Sequence, residues 1–197
     1  MSIIGISGYA RSGKDTLADY LCEIVPNAKR IAFADPLKEM VYTLNPSIAE
    51  VVDAVGWERA KDLSTQNTVD VRNALQLTGE TCRRVFGADI WVDTLVQRID
   101  TSHLWVISDL RYYNEAQKLL SLGATLVRVE RPGVGPVNMH VSETQLETWT
   151  QWDEIVINDG SLSKLKGNAH HIASLHAGKR IASVDTTTNL TQEIVRY

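Results

Sequence analysis

Cysteine is nearly missing from this chain. Cys22 and Cys82 are the only two, far apart in sequence and without a CxxC pair, which argues against a disulfide framework or a zinc site. Each fits a helix as a small core residue. Long apolar runs are also missing. No segment approaches eighteen consecutive apolar residues, and the N-terminus lacks a basic region followed by an apolar stretch and a cleavage site. Neither a membrane span nor a signal peptide is expected, and the chain reads as cytoplasmic. Positive charge is not in excess: 20 Lys and Arg stand against 24 Asp and Glu, for a net charge of −4. Nothing in that balance calls for a nucleic-acid polymer as partner. Histidines do not cluster at metal-ligand spacing, and no Ser-His-Asp set is visible. His170, His171 and His176 fall in a polar C-terminal region and read as surface residues. His140, within "MHVSE", reads as a loop histidine. No repeat, low-complexity stretch or linker divides the chain, so a single domain over residues 1–197 is expected.

What remains is an ordinary globular composition, 44% hydrophobic and 22% charged over 197 residues, enough for a real core. Short β-rich runs alternate with helical periods. Ser2–Ser7 is a strand. Residues 14–25 carry Leu17, Ala18, Leu21 and Ile24 at helical spacing and stop at Pro26. Arg30–Ala34 reads as a strand leading to a helix start at Asp35-Pro36. Residues 45–70 are polar and less regular, a partly helical excursion. Val69–Phe86 is an amphipathic helix with two stripes: Val71, Leu75, Thr78, Cys82 and Val85, and about 100° round the axis Arg72, Gln76, Gly79 and Arg83. Asp89–Ile99 is helical. Leu104–Asp109, "LWVISD", is an apolar strand ending in a carboxylate. Asn114–Leu122 is a helix capped by Gly123. "TLVRVERPG" is a strand, residues 133–150 a loop plus helix, "EIVINDG" a last strand, and Ser161 to about Ala173 a helix. The tail from Leu175 has no clear pattern. The alternation predicts an α/β fold with a mainly parallel sheet and helices on both faces.

The first strand feeds Gly8-x-x-x-x-Gly13-Lys14, and a helix follows. This is the context of a phosphate-binding loop. Glycines let backbone N–H groups turn inward, the helix N-terminus adds partial positive charge, and Lys14 a full one. The position after Lys14 usually carries a hydroxyl that ligates Mg²⁺. Here it is Asp15, followed by Thr16. Asp15 is either a hard oxygen ligand for the metal or a first-turn acid favoured by the helix dipole. Thr16 can still donate its hydroxyl to a phosphate. Arg11, inside the loop, either reaches phosphate oxygens or is solvated.

Asp109 ends its strand at the edge where α/β sheets bind ligands. It is either a holder of a Mg²⁺ water or an N-cap. If the acceptor is itself a phosphate, with a second pKa of about 6, it is already nucleophilic at pH 7. The difficulty is then the meeting of two anions, which calls for arginines. Arg72, Arg83, Arg84, Arg111 and Arg131 stand at strand ends or on the polar stripe.

The ordered series "GYARSGKDTLADYL", "FADPLKEM", "VRNALQLTGETCRRVFGADIWV", "VISDLRYYNEAQKL", "VRVERPG", "HVSE" and "IVINDGSLSKL" resembles the deoxynucleoside monophosphate kinases of tailed bacteriophages, within the P-loop nucleoside monophosphate kinases. The likeness covers roughly residues 1–166, and Gly-Lys-Asp-Thr is itself typical of those enzymes. The resemblance implies a P-loop kinase fold with a mobile monophosphate-binding excursion over about 36–90 and a short lid-like segment over about 132–148. It implies transfer of the γ-phosphoryl group of ATP, with Mg²⁺, to a dNMP, giving dNDP and ADP in the cytoplasm (the host's, if phage-encoded), and it allows a homodimer. Gly8, Arg11, Ser12, Gly13, Lys14 and Thr16 would hold ATP, with Asn158 near the adenine. Asp15 and Asp109 would serve the metal. Asp35, Lys38, Arg72, Gln76 and Arg83 would hold the dNMP. Trp91 would wall the base or simply fill the core. Arg111 and Arg131 would join Lys14 and Asp15 at the transferring group.

The chain departs from the pattern in places. The spacing admits Arg83 or Arg84, of which Arg83 lies on the stripe with Arg72. Residues 132–148 carry no arginine, and the tail beyond Gly167 matches nothing in the family. Two other readings stand beside this one: a kinase for another phosphorylated small molecule of the dephospho-coenzyme A type, and a non-catalytic nucleotide-binding module.

Overall fold

A computed structural model describes residues 1–63, 70–137 and 140–194, with side chains described to residue 181. Five parallel strands form one sheet: β1 (Ser2–Ser7), β2 (Ala28–Ile31), β3 (Leu104–Ile107), β4 (Thr125–Glu130) and β5 (Glu154–Ile157). The helices are α1 (Lys14–Ile24), α2 (Ala34–Leu44), α3 (Pro46–Asp62), α4 (Val71–Phe86), α5 (Ile90–Arg98), α6 (Tyr113–Ser121), α7 (Val141–Thr144, continued by a 3-10 turn at Gln145–Thr148) and α8 (Leu162–Ile194). The α/β class with an all-parallel sheet matches the sequence expectation.

The chain divides into two compact units: Met1–Ala32 with Ile99 onward, and Phe33–Arg98. In the first, the strands run in the order β2-β3-β1-β4-β5. β1 is central and fully buried. The chain builds β2 and β3 on one side of it, then crosses to β4 on the other, so the carboxyl end of β1 lies at the switch point where such sheets bind ligands. Ile4 and Ile6 face a core shared with Leu17 and Leu21 of α1 and with Leu165, Ala169 and Ile172 of α8. Gly5 faces the other way, where a Cβ would press on Leu119 of α6 and Leu126 of β4, at 2.8 and 3.1 Å. Helices therefore cover both faces. Parallel strands buried on both sides need this apolar content throughout.

The second unit is helical. Its core is Val41, Ile48, Val52, Ala60 and Val71, with Leu37, Trp57 and Leu75 packed against it. α3 breaks at Gly56, whose φ of +77° is one that only glycine adopts easily. Asp70 caps α4 by accepting from the Asn73 amide at 2.9 Å.

Several expectations are corrected. The second strand ends at Ile31 rather than Ala34, because Phe33 and Ala34 already have helical geometry or lie in α2. Val85 is exposed, so the apolar stripe of α4 ends at Cys82. Cys22 is only half-buried, while Cys82 is buried; both are free thiols. The expected helix start at Val69 lies outside the described residues. The tail after Leu175 continues α8, and its His176 is buried rather than at the surface, as His170 and His171 are. Among the described residues no helix is long and apolar enough to cross a membrane.

Candidate active site

The glycine loop leaves β1 at Gly8 and re-enters regular structure at Lys14. Gly13 has a φ of +100°, and a Cβ there would collide with the side-chain amide of Asn158. A Cβ on Gly8 would lie 2.6 Å from both the Val129 carbonyl and the Ser12 hydroxyl. These two positions thus need glycine for conformation and for room. Arg11 sits exposed at the loop tip with a φ of +66°. Asn158, just beyond β5, donates its amide to the Ser12 carbonyl at 2.8 Å, and its own N–H to Glu130 at 2.7 Å. Asn158 is therefore a clasp between β5, β4 and the loop. Ser12 is fully buried, and its hydroxyl has no hydrogen-bond partner among the described residues. A buried, unsatisfied hydroxyl costs free energy unless something bonds it. Together with a glycine cradle and a buried Lys14, this donor set fits a polyphosphate.

Lys14 and Arg30 both pair with Asp15, one on each carboxylate oxygen. Burial pushes the Asp15 carboxyl up, but Lys14 and then Arg30 outweigh it and hold it below the usual carboxylate range. Arg30 also pairs with Asp19 at 2.8 Å and donates from Nε to the Ser108 hydroxyl at 3.0 Å. Thr16, in the same turn of α1, is half-buried. Among the described residues no cluster of three or more His, Cys, Asp or Glu could cage a metal. Mg²⁺ does not need one, since it keeps waters and takes substrate phosphates with one or two carboxylates.

The turn after β3 is tied to β1 by Leu110 N–H donating to the Ile6 carbonyl at 3.2 Å. It carries half-buried Asp109 and then Arg111. Arg111 points at α7: its Nη1 donates to the Ser142 carbonyl at 3.2 Å and pairs with Glu143. Burial opposes the Arg111 charge, yet Glu143, Asp109 and Glu115 outweigh burial and hold the guanidinium above its ordinary pKa. The backbone N–H of Arg111 is fixed by buried Glu115 at 2.9 Å. Arg128, on β4, lies beside the Tyr9 and Trp152 rings and donates to the Leu146 carbonyl at 3.1 Å. Tyr9 donates to Glu147 at 2.6 Å. Ser7, Gly8, Tyr9, Arg111, Arg128 and Glu143 line one cavity at the carboxyl end of β1. His140 caps α7 by accepting from the Ser142 amide at 3.2 Å. Arg131 is exposed just past β4.

The other candidates lie in the helical unit. Asp35 and Lys38 share the first turns of α2, 3.8 Å apart. Arg72 pairs with Asp62 at 3.1 Å. Gln76 is half-buried one turn further along α4, and Arg83 turns to the Ala88 carbonyl at 2.9 Å, while Arg84 is exposed. Trp91 is buried, its indole N–H donating to the Gly79 carbonyl at 3.3 Å. The structure thus gathers the loop residues, Asp15 and Asn158 within one unit, and Arg72, Gln76 and Arg83 on α4 of the other.

A family model for deoxynucleotide monophosphate kinase matches residues 43–169, more than half of the chain. The chain belongs to the deoxynucleotide monophosphate kinase family. It is a kinase, a phosphotransferase acting on deoxynucleotide monophosphates. An Acanthamoeba polyphaga mimivirus protein, provisionally named a deoxynucleotide monophosphate kinase, is 29% identical over 181 residues, 83% of this chain and 92% of its own. The deoxynucleotide monophosphate kinase of Escherichia phage RB69 is 25% identical over 240 aligned positions, 84% of this chain and 96% of its own. An uncharacterized protein of Ictalurid herpesvirus 1 is 26% identical over 169 residues, 81% of this chain and 62% of its own. The family match begins after the glycine loop, so the loop assignment rests on its own sequence and geometry.

Sequence reasoning missed Arg30, Arg128 and Glu143. Arg30 sits beside Lys29 in "AKRIAF", where either reads as a solvated charge. Strand alternation separates them: Lys29 lies over Trp105, at 6.0 Å, and Arg30 turns to α1.

Proposed function

We propose that this kinase transfers the γ-phosphoryl group of ATP, as its Mg²⁺ complex, to the phosphate of a dNMP, yielding dNDP and ADP. The observation that carries this is the loop itself: a glycine cradle opening α1, with buried Lys14 and an orphaned Ser12 hydroxyl. Backbone N–H groups of residues 8–14, with Ser12 and Thr16, would hold the phosphates, and Lys14 would bridge the transferring group. Mg²⁺ would neutralise developing charge on the phosphate oxygens, with Asp15 and Asp109 as its protein-side oxygens. Arg111 and Arg131 would meet the transferring group. Asp35, Lys38, Arg72, Gln76 and Arg83 would hold the dNMP. The acceptor phosphate needs no general base, so these residues act by position and charge. We infer a cytoplasmic reaction, where soluble mononucleotides and ATP would meet the enzyme.

The test is ADP release with Mg²⁺-ATP against each of the four dNMPs and four NMPs. ADP is expected with at least one dNMP and not without an acceptor. ADP formed at the same rate with no acceptor would replace the kinase reading with an ATPase.

A further inference from the structure

The position after Lys14 normally holds a neutral hydroxyl, and Asp15 puts a negative charge there, beside the site of a polyanion. Such a charge repels the phosphates unless something nearby offsets it. Lys14 and the Mg²⁺ proposed for this site are the cations the phosphates themselves require, so neither is free to offset the carboxylate in full. The fold supplies a further cation from outside the loop. Arg30, from β2, sets one guanidinium against Asp15 and Asp19, which are one helical turn apart on α1, and against the Ser108 hydroxyl at the end of β3. All three of its nitrogens are thereby used, and Ser108 is itself buried. This makes a fixed fork that a flexible surface pair would not give.

We propose that Arg30 is the charge-compensating and positioning residue of this loop. It neutralises Asp15 and fixes its carboxylate, so that Lys14 is released to the phosphates when ATP binds. The variant loop sequence and Arg30 then form one device: a carboxylate in the Mg²⁺-side position is tolerated because the neighbouring strand brings an arginine to it. This rests on the loop being the ATP site.

The test is a double-mutant cycle read as the Kd for Mg²⁺-ATP in equilibrium binding, with no acceptor present. Arg30→Met is expected to weaken ATP binding on the order of 10-fold, the effect of leaving one half-exposed carboxylate uncompensated beside a polyanion. In the Asp15→Thr background, where the loop regains its usual hydroxyl, the same change is expected to cost less than about threefold, because there is no carboxylate left to offset. Arg30→Lys should recover much of the affinity, since it keeps the charge. Melting temperatures of the four apo proteins separate this from a mere staple between α1 and the sheet. A staple would lower ATP affinity and melting temperature alike in both backgrounds. Equal losses in the two backgrounds, or Arg30→Lys as weak as Arg30→Met, would overturn the proposal. Transfer to dNMPs is assayed separately on the wild type, so a failed kinase reading and a failed Arg30 reading give different results.

Discussion

His176 makes the folded state sensitive to mild acid in a predictable way. It lies on α8, buried, with one ring nitrogen 2.9 Å from the Ser2 hydroxyl at the start of β1 and the other 2.9 Å from the Thr125 hydroxyl at the start of β4. A neutral ring satisfies both contacts, donating at one nitrogen and accepting at the other. Burial, then Arg180 and Lys179, push its pKa down from 6.5 to about 4, with Asp153 pulling weakly the other way. Between those values the unfolded chain takes up a proton that the native state refuses. Stability is therefore intact above pH 6.5, falls as pH drops through the window, and levels off below about 4. The lowered pKa corresponds to about 3 kcal/mol as an upper figure, a large part of a typical domain's stability. The assay is urea unfolding of wild type and His176→Gln from pH 7.5 to 4. The other titrating groups are common to both proteins, so the difference between them isolates this residue. The variant is expected to be the less stable at pH 7 and to gain on the wild type by up to about 3 kcal/mol by pH 4. A difference that stays flat with pH would refute the buried neutral histidine.

Other outcomes follow from the site. Lys14→Ala is expected to lower turnover by on the order of 10²- to 10⁴-fold, as for loss of one preorganised donor; near-wild-type steady-state rates would unseat the loop assignment. Asn158→Ala removes the 2.8 Å clasp on the Ser12 carbonyl and should raise the ATP KM by about 2- to 12-fold, the worth of one hydrogen bond, with little effect on the dNMP KM. Arg72→Ala should raise the dNMP KM far more than the ATP KM, and the reverse pattern would remove Arg72 from the acceptor side.

The parts of this protein most legible in its sequence are those where one residue type has one physical use. Gly8 and Gly13 mark the loop because no other residue suits their backbone or the space beside them. Apolar runs such as "LWVI" mark strands buried on both faces. Helices were legible while their buried positions stayed apolar. The stripe Leu165, Ala169, Ile172 continues at the next helical position with His176, so a polar residue in a core slot hid the rest of α8. The arginines were harder. Arg72 and Arg83 could be placed by helical spacing alone, because they share a helix. Arg30 pairs with an acid on α1 and Arg111 with Glu143 on α7, contacts that depend on strand order and on where loops fold back. No local pattern carries that information. Arg128 is hidden for a similar reason: its neighbours, Tyr9 and Trp152, are far apart in the sequence.

An acidic protein that handles polyanions faces a choice about its own cations. Here several of the cations proposed for substrate already hold an acid of the chain: Lys14 holds Asp15, Arg111 holds Glu143, Arg72 holds Asp62, and Lys38 faces Asp35. A paired cation is held in place without a substrate, its charge already offset within the chain. If these cations hold the substrates as proposed, an arriving phosphate would exchange with a carboxylate rather than meet a bare charge. The gain in free energy is the difference between two charge-assisted contacts, smaller than either alone. That would lower affinity for substrate and product together, and a kinase that must release two nucleotides per cycle would benefit from the second effect. Arg30 differs from the rest: its partners Asp15 and Asp19 lie on α1 itself, so on the proposal above it would keep them when ATP binds, whereas the other pairs would open.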